Sequence, residues 1–454
     1  MACVATAHAA GRPCAPPAQT EAQTEALERT AVAKAASEPA SPGAGWLRGR
    51  GFAFGVNQAA SAALACAPPN LARAGLTRAV LAAERALGTD VEIAIVLTTH
   101  ALSCGNIYYV PLANDVRGIG YRHVDPREVF DDTPDHRLEG IAVLNDWPYW
   151  QSRLDELESA FNHEVGHRWG ARVHARIGGA DSSALLGREQ EHWSYFVDSG
   201  GSPLEGNAWH ATAFGHASDT PEFPAQFSAL DRYLMGVAAP AEVPPFELLV
   251  DPTPDANDCV GRGVGPASPP QTCGSLELQA RAVSVSIEDV IDIEGPREPA
   301  ADPTPRQVAA LVLVLQSRAE IWRASDCESL ARSVHDRIDA FERASAGRLR
   351  LVNALDVSSG AGSSHGSSDP TESGMACDEL SRASSALLAT PASPSAAPTS
   401  ASSTESGAPP ALVDRSSCAS SPRPSVGASS VCVVAVTLIA LGGRLLVRRA
   451  RRSP

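Results

Sequence analysis

The sequence lacks the short motifs that mark the common nucleotide-binding folds and the serine hydrolases. It contains no P-loop, no Rossmann glycine fingerprint and no GxSxG elbow between a predicted strand and a predicted helix, since GxSxG occurs only at Gly362 to Gly366 in a Ser-rich stretch. Its ten cysteines include no CxxC pair, which argues against a structural zinc ribbon or a dithiol redox motif. Nucleotide chemistry, an activated serine and thiol redox chemistry are therefore not predicted for this chain.

Positive charge is also scarce, except at the C-terminus. The formal net charge is -15, and five arginines lie between residues 444 and 452. Without these five arginines the rest of the chain carries about -20. Such an acidic balance suits a soluble extracytoplasmic domain and argues against a nucleic-acid partner, because phosphates are bound mainly by basic side chains.

One stretch, Phe161 to Gly170, carries a specific chemical signal. It reads FNHEVGHRWG and contains the HExxH pattern. Residues four apart lie on one face of a helix, so His163 and His167 can bind one metal ion. Glu164 then lies beside the ion, where its carboxylate can accept a proton from water.

The surroundings of this motif predict a helix with two different faces. Apolar residues repeat at intervals of three and four and predict a stripe facing the core: Leu154, Leu157, Phe161 and Val165. The two histidines lie about 180° to 220° round the helix from this stripe. The face they share otherwise carries small residues, including Gly166 and Gly170, and we expect these to leave room for metal and substrate.

A third metal ligand is needed, because a catalytic zinc site usually has three protein ligands and one open position. His174 lies one residue beyond the HExxHxxGxxH spacing, and on a continuous helix it would be about 10 Å from His167 along the axis. We rank His192 first, because the chain can turn at Gly178-Gly179 and return across the cleft. The alternatives are His174, if the backbone breaks after the helix, and three glutamates: Glu189, Glu191 and Glu205.

The segments HEVGHRWG, LLGREQEHWSYFVDSGGSPLEGN and SALDRYLMG resemble secreted bacterial zinc metallopeptidases of the zincin group. The resemblance covers about residues 90 to 250. It implies an α+β fold, with a small mixed sheet and HExxH on an active-site helix, and Zn²⁺ as the cofactor. Met235 is similar to the methionine turn of metzincins, whereas gluzincins take a glutamate from a later helix, so the clan stays open.

The resemblance also implies an endopeptidase that hydrolyses peptide bonds of extracellular proteins. A zinc-activated water would attack, with Glu164 as general base and His163, His167 and His192 as metal ligands. Candidates to stabilise the charged transition state are Arg188, Tyr195, His210, His216 and Tyr233. The alternative is a non-enzymatic binding or adhesion module on the cell surface, with a structural or degenerate metal site.

Composition divides the chain into four parts. Residues 1–45 have almost no large apolar side chains, and we interpret them as a disordered leader with the remnant of a signal peptide. Residues 46–350 form the predicted metallopeptidase-like domain. Residues 351–425 are rich in Ser, Ala and Pro and predict a disordered stalk. Residues 426–454 combine a transmembrane segment with an arginine-rich tail.

The last part predicts where the chain resides. Val426 to Gly443 is an uncharged, mostly apolar run, and arginines follow it. Positive charge marks the cytoplasmic side of a span, so the domain would lie outside the cytoplasm, anchored to the membrane through this helix. With Cys418, the tail resembles the MYXO-CTERM type of C-terminal sorting signal, which implies the cell surface.

Hydrophobic periodicity also gives a coarse map of the predicted domain. We predict helices at 71–87, 305–325 and 328–347, and strands at 91–97, 107–111, 138–144 and 282–285. Asn114 to Tyr121 is predicted as a hairpin or as an exposed edge that could bind substrate, and Asp146-Trp147-Pro148 as the start of the metal helix. The predicted disulfides are Cys66 with Cys104, Cys259 with Cys273, and Cys327 with Cys377.

Overall fold

The computed structural model describes residues 45–56, 69–100, 107–124, 137–253, 264–270, 277–316, 322–357 and 375–389. This part of the chain is mixed α+β, as predicted, with fifteen strands and eight α-helices. The strands are β1 (Gly45–Arg48), β2 (Ala53–Val56), β3 (Ile93–Thr98), β4 (Tyr108–Pro111), β5 (Gly140–Asp146), β6 (Ala175–Ile177), β7 (Ala180–Ser182), β8 (Trp193–Asp198), β9 (Glu205–Asn207), β10 (Trp209–Ala211), β11 (His216–Ser218), β12 (Phe246–Thr253), β13 (Glu277–Val285), β14 (Arg306–Leu315) and β15 (Leu349–Asn353). The helices are α1 (Pro69–Leu87), α2 (Trp147–Trp150), α3 (Leu154–Gly166), α4 (Ala229–Leu234), α5 (Ile287–Glu294), α6 (Ala324–Ala344), α7 (Ala354–Val357) and α8 (Cys377–Ala389).

A seven-stranded sheet forms the centre of the fold. Its order is β1-β2-β14-β3-β5-β4, and β15 pairs with β14 as well. Four neighbouring strands are mutually parallel: β2, β14, β3 and β5. At the edge, β4 pairs antiparallel with β5. Parallel strands are buried on both faces, so helices must cover this sheet on both sides.

Strand β3 shows how the two sides are divided. Ile93 and Ile95 belong to the same buried cluster as Phe161 and Val165 of α3, whereas alternate residues such as Val96 cluster with α1. This alternation follows from the period of two along a strand. Helix α3, which carries the HExxH motif, therefore packs on one face of the sheet, opposite α1.

Helix α3 buries three of the four residues of its predicted apolar stripe. Leu157, Phe161 and Val165 are buried, but Leu154 is 42% exposed because it is the first residue of the helix. This helix also begins later than predicted, at Leu154 rather than at Asp146-Trp147-Pro148. Asp146 instead caps the separate short helix α2, by accepting a hydrogen bond from the N–H of Tyr149.

A second sheet and a hairpin follow α3. The sheet has the order β10-β11-β13-β12-β8-β9, and the hairpin joins β6 to β7. The hairpin turns at Gly178 (φ 63°) and Gly179 (φ 86°), where two residues with positive φ are needed and glycine supplies them without a steric cost. The predicted turn is confirmed, and it sends the chain back towards α3.

Two predictions from periodicity were wrong. Residues 305–325 were predicted as a helix, but β14 occupies Arg306–Leu315 at the centre of the sheet. Asn114 to Tyr121 forms no strand, and only single bridges, such as Arg117 with Glu298, involve it. The edge strand next to β5 is β4 instead, and its residues are half-buried or buried.

The other predicted elements are confirmed, with shifted ends. They are α1, α6, β3, β4, β5 and β13. The disulfide Cys327–Cys377 is confirmed too, with 5.5 Å between the Cα atoms. The two other predicted disulfides lie outside the described residues.

The C-terminal boundary of the domain differs from the prediction. The stalk was expected to start at residue 351, but β15 continues to Asn353, and α7 and α8 follow. Helix α8 is held to α6 by the disulfide, since Cys377 and Cys327 are in these two helices. Within the described residues, no helix has the length and apolar character of a membrane span. The predicted leader and transmembrane segment lie outside the described residues.

Candidate metal centre

The side chains of His163, His167 and His192 meet at one point of the fold. The Nε2 atom of His163 lies 3.1 Å from Nε2 of His167 and 3.2 Å from Nε2 of His192. The candidate ligand atoms of all three residues lie within 4.8 Å of one another. The structure thus brings His192, the first-ranked candidate, to the pair of histidines on the helix.

These distances fit a tetrahedral zinc site. Two nitrogen ligands at about 2.0 to 2.1 Å from a tetrahedral ion are separated by about 3.3 Å. The observed separations of 3.1 and 3.2 Å are close to that value. Three imidazoles form the donor set of many catalytic zinc sites, so the residues present fit this ion.

Backbone carbonyls orient two of the three rings. The Nδ1–H of His163 donates to the carbonyl of Pro203 at 2.7 Å, and that of His192 donates to the carbonyl of Arg188 at 3.1 Å. A proton on Nδ1 leaves the lone pair on Nε2, which is the atom that faces the other histidines. These carbonyls therefore select the tautomer that a metal ion requires.

The histidines reach the cluster from two directions. His163 and His167 lie at the end of α3, where the N–H of His167 still donates to the carbonyl of His163. His192 follows a tight turn that closes when the N–H of Gly187 donates to the carbonyl of His192 at 2.7 Å. Gly187 is required there, because a Cβ atom would lie 2.7 Å from the carbonyl oxygen of Pro266.

Burial keeps the three imidazoles neutral. It lowers the pKa of His163 to about 4 and that of His192 to about 2. It also lowers the pKa of His167 well below the ordinary value, and the neighbouring histidines add to this shift. Neutral imidazoles are the form that binds a metal ion, so protons do not compete for these rings near pH 7.

Glu164 lies beside the cluster without joining it. Its Oε1 is 3.8 Å from Nε2 of His163, and its side chain is buried. Its Oε2 has no hydrogen-bond partner among the described residues. Burial raises the pKa of this carboxyl well above the usual range, which is expected of a group that exchanges a proton near neutral pH.

The edge strand β4 lies next to Glu164. Burial raises the pKa of Tyr108, in β4, to about 12, and repulsion from the Glu164 carboxylate contributes to the rise. Helix α3 and β4 also contact each other directly. This edge strand of the sheet and the candidate catalytic carboxylate are therefore neighbours.

The other predicted metal ligands are engaged elsewhere. His174 is bonded to Asp181, with Nδ1 2.8 Å from a carboxylate oxygen. Glu205 accepts hydrogen bonds from Arg188 with both carboxylate oxygens, and Glu191 lies 3.4 Å from Arg172. Glu189 lies in the turn before His192, with a φ of 58°, and does not belong to the cluster.

Gly166 and Gly170, at the end of α3 and just beyond it, do not leave the space that the sequence suggested. A Cβ atom at Gly170 would lie 2.4 Å from Cδ1 of Leu204, and one at Gly166 would lie 2.9 Å from Phe227. These glycines admit apolar side chains rather than a metal ion and a substrate. They allow the segment that carries Pro203 to approach the end of the helix.

Of the candidates for transition-state stabilisation, Arg188 is next to the cluster. Its cationic side chain helps to lower the pKa of His163 and of His192. Tyr233 accepts a hydrogen bond from the N–H of Arg297, and the exposed His210 has its Nδ1 3.1 Å from a carboxylate oxygen of Asp219. Sequence reasoning missed Pro203, since a backbone carbonyl leaves no signal in side-chain identity.

Comparison of this chain with protein-family models, with curated proteins and with solved structures finds no match.

Proposed function

We propose that this chain is a zinc-dependent endopeptidase of the zincin type. The observation that supports it best is the convergence of three Nε2 atoms beside a buried glutamate with a free carboxylate oxygen. His163, His167 and His192 would hold the ion. Zinc, when bound, acts as a Lewis acid towards water and towards the carbonyl of a substrate.

Glu164 would carry the proton in this reaction. Its carboxylate accepts a proton from the attacking water and passes it to the amine that leaves when the peptide bond breaks. A raised pKa suits both steps, because the group must gain and lose the proton near neutral pH. The buried position keeps bulk water from supplying or removing that proton.

The substrate would be a peptide in extended conformation. Strand β4 pairs with β5 on one side, and among the described residues no strand pairs with its other side. A peptide can add to such an edge as a further strand, through backbone hydrogen bonds. A peptide bound in this way would lie near the metal centre, because β4 adjoins Glu164.

The proposed location is the cell surface, with the peptidase domain outside the cytoplasm. It rests on the apolar run and the arginines of residues 426–454. The disulfide Cys327–Cys377 supports it, since disulfides persist in oxidising compartments.

The experiment compares the full-length wild-type protein with Glu164→Gln. Zinc content is measured by mass spectrometry, and cleavage is measured with casein and a fluorogenic peptide library. We expect both proteins to hold about one zinc ion and the variant to lose at least about 10²-fold in cleavage rate. Glu288→Gln, at an exposed glutamate of α5, is the matched control and keeps both properties. Equal cleavage by Glu164→Gln and wild type would refute the mechanism.

A further inference from the structure

The two carbonyls that orient the metal-site histidines belong to separate segments of the chain. Pro203 precedes β9 and accepts from His163, whereas Arg188 begins the turn that leads to His192. Neither segment is part of α3. The geometry of the cluster therefore depends on how these two segments are held relative to each other.

An ion pair joins them, beside the backbone hydrogen bond that the N–H of Trp193 donates to the carbonyl of Leu204 at 3.0 Å. The Nε of Arg188 lies 3.2 Å from both carboxylate oxygens of Glu205, and its Nη2 lies 2.5 Å from Oε1. Glu205 follows Pro203 by two residues. Arg188 thus provides both the carbonyl for His192 and the side chain that reaches the segment of Pro203. A forked pair of this kind is shorter, stronger and more directional than a neutral hydrogen bond.

The backbone on both sides of this pair adopts a conformation that side chains disfavour. Glu189 (φ 58°), Gln190 (φ 60°) and Glu205 (φ 78°) all have positive φ, and none of them is glycine. Such residues persist where surrounding contacts hold them, and they concentrate at functional sites. The Arg188–Glu205 pair is a contact that holds these two segments.

We infer that the Arg188–Glu205 ion pair positions the imidazoles of His163 and His192 for metal binding by fixing the carbonyls of Pro203 and Arg188. This inference rests on the proposed zinc site. Neither side chain needs to touch the ion or the substrate, so both are positioning residues. Glu205 acts through Arg188, which occupies both of its oxygens.

The test measures the zinc affinity of the full-length protein by competition with a chelator. Arg188→Met and Glu205→Gln should each weaken zinc binding by about 10- to 100-fold, the usual effect of removing an outer partner of a metal ligand. The double variant should bind about as well as the weaker single variant, because both changes remove one link. Arg188→Lys should recover part of the loss.

Two further measurements separate positioning from general stability. The visible spectrum of the Co²⁺-substituted protein reports ligand geometry and should change in Arg188→Met and Glu205→Gln. The matched control is the pair Arg348–Glu242, with 2.7 Å between its charged atoms and an arginine side chain that is 30% exposed, against 36% for Arg188. Arg348→Met should leave the zinc affinity within about twofold and the Co²⁺ spectrum unchanged.

The outcomes distinguish the inference from the function on which it rests. If the wild type binds zinc and both pair variants keep its affinity and Co²⁺ spectrum, the positioning role is refuted and the metal site stands. If the wild type binds no zinc, the proposed function and this inference fall together. Circular dichroism of the metal-free proteins verifies folding, and should Arg188→Met not fold, Glu205→Gln and Arg188→Lys decide the question.

Discussion

Zinc affinity should resist acid to an extent that ordinary histidines would not allow. Three histidines with a pKa of about 6.5 would weaken zinc binding by about 10⁴-fold between pH 7 and pH 5, because each must lose a proton before it can bind. Burial lowers the pKa of His163 to about 4 and that of His192 to about 2, and lowers that of His167 as well. These rings remain neutral at pH 5, so proton competition should change the affinity by less than about twofold.

Glu164 is the group that complicates this measurement. Burial raises the pKa of its carboxyl, so the metal-free protein holds a proton there in weakly acidic solution. A nearby cation favours the carboxylate, and zinc binding would then release that proton, with a loss of affinity of at most about tenfold per pH unit as pH falls. Glu164→Gln removes this proton and leaves the histidines alone to respond to pH.

The assay is calorimetric titration of full-length Glu164→Gln with zinc at pH 7, 6 and 5, in buffers that do not bind the metal. We expect nearly constant affinity over this range, and a loss only as the pH approaches 4 and His163 takes up a proton. The zinc affinity of the wild type should fall more steeply with decreasing pH, because zinc binding then releases up to one further proton, from Glu164. Circular dichroism at each pH verifies folding. A weakening of more than about 100-fold in Glu164→Gln between pH 7 and pH 5 would refute the reasoning.

Three further predictions concern single side chains. Asp231→Ala should lower the free energy of unfolding by about 3 kcal/mol, because two buried donors lose their acceptor. These donors are Trp193 Nε1 at 2.8 Å and Ser202 Oγ at 2.6 Å. Urea denaturation measures the change, and a loss below about 1 kcal/mol contradicts it. Cys327→Ser should lower the free energy of unfolding by about 2 to 4 kcal/mol, because the disulfide with Cys377 closes a loop of 50 residues; an unchanged melting temperature in this variant would count against it. His174→Ala should keep the zinc affinity within about twofold, since its ring bonds to an aspartate away from the cluster; a tenfold loss in titration would make it a ligand.

Part of the fold was predictable because it depends on local periodicity. Helix α1 and strands β3 and β5 show clear patterns over neighbouring residues, and they are confirmed. Strand β14 was mistaken for a helix, because Val308 to Leu315 is apolar at every position. A central parallel strand is buried on both faces, so it has no alternation to distinguish it from a buried helix.

The mistaken expectation about Gly166 and Gly170 has a different origin. A small residue beside a ligand histidine can make room for substrate or for another part of the protein, and composition does not separate the two. In the structure, Leu204 occupies the space at Gly170. What fills the space beside the helix therefore depends on a segment more than thirty residues further along the chain.

By itself, the sequence determined that His163 and His167 share one side of a helix with Glu164 between them, because residues one turn apart are adjacent whatever the rest of the chain does. It also determined the turn at Gly178-Gly179, where the backbone conformation favours glycine. Only the tertiary structure decided that His192 joins the pair, while His174 and the glutamates bond elsewhere. The reason is physical: a contact across 29 residues depends on the path of the chain, and here a partly buried ion pair, three backbone residues with positive φ and two carbonyl oxygens define that path.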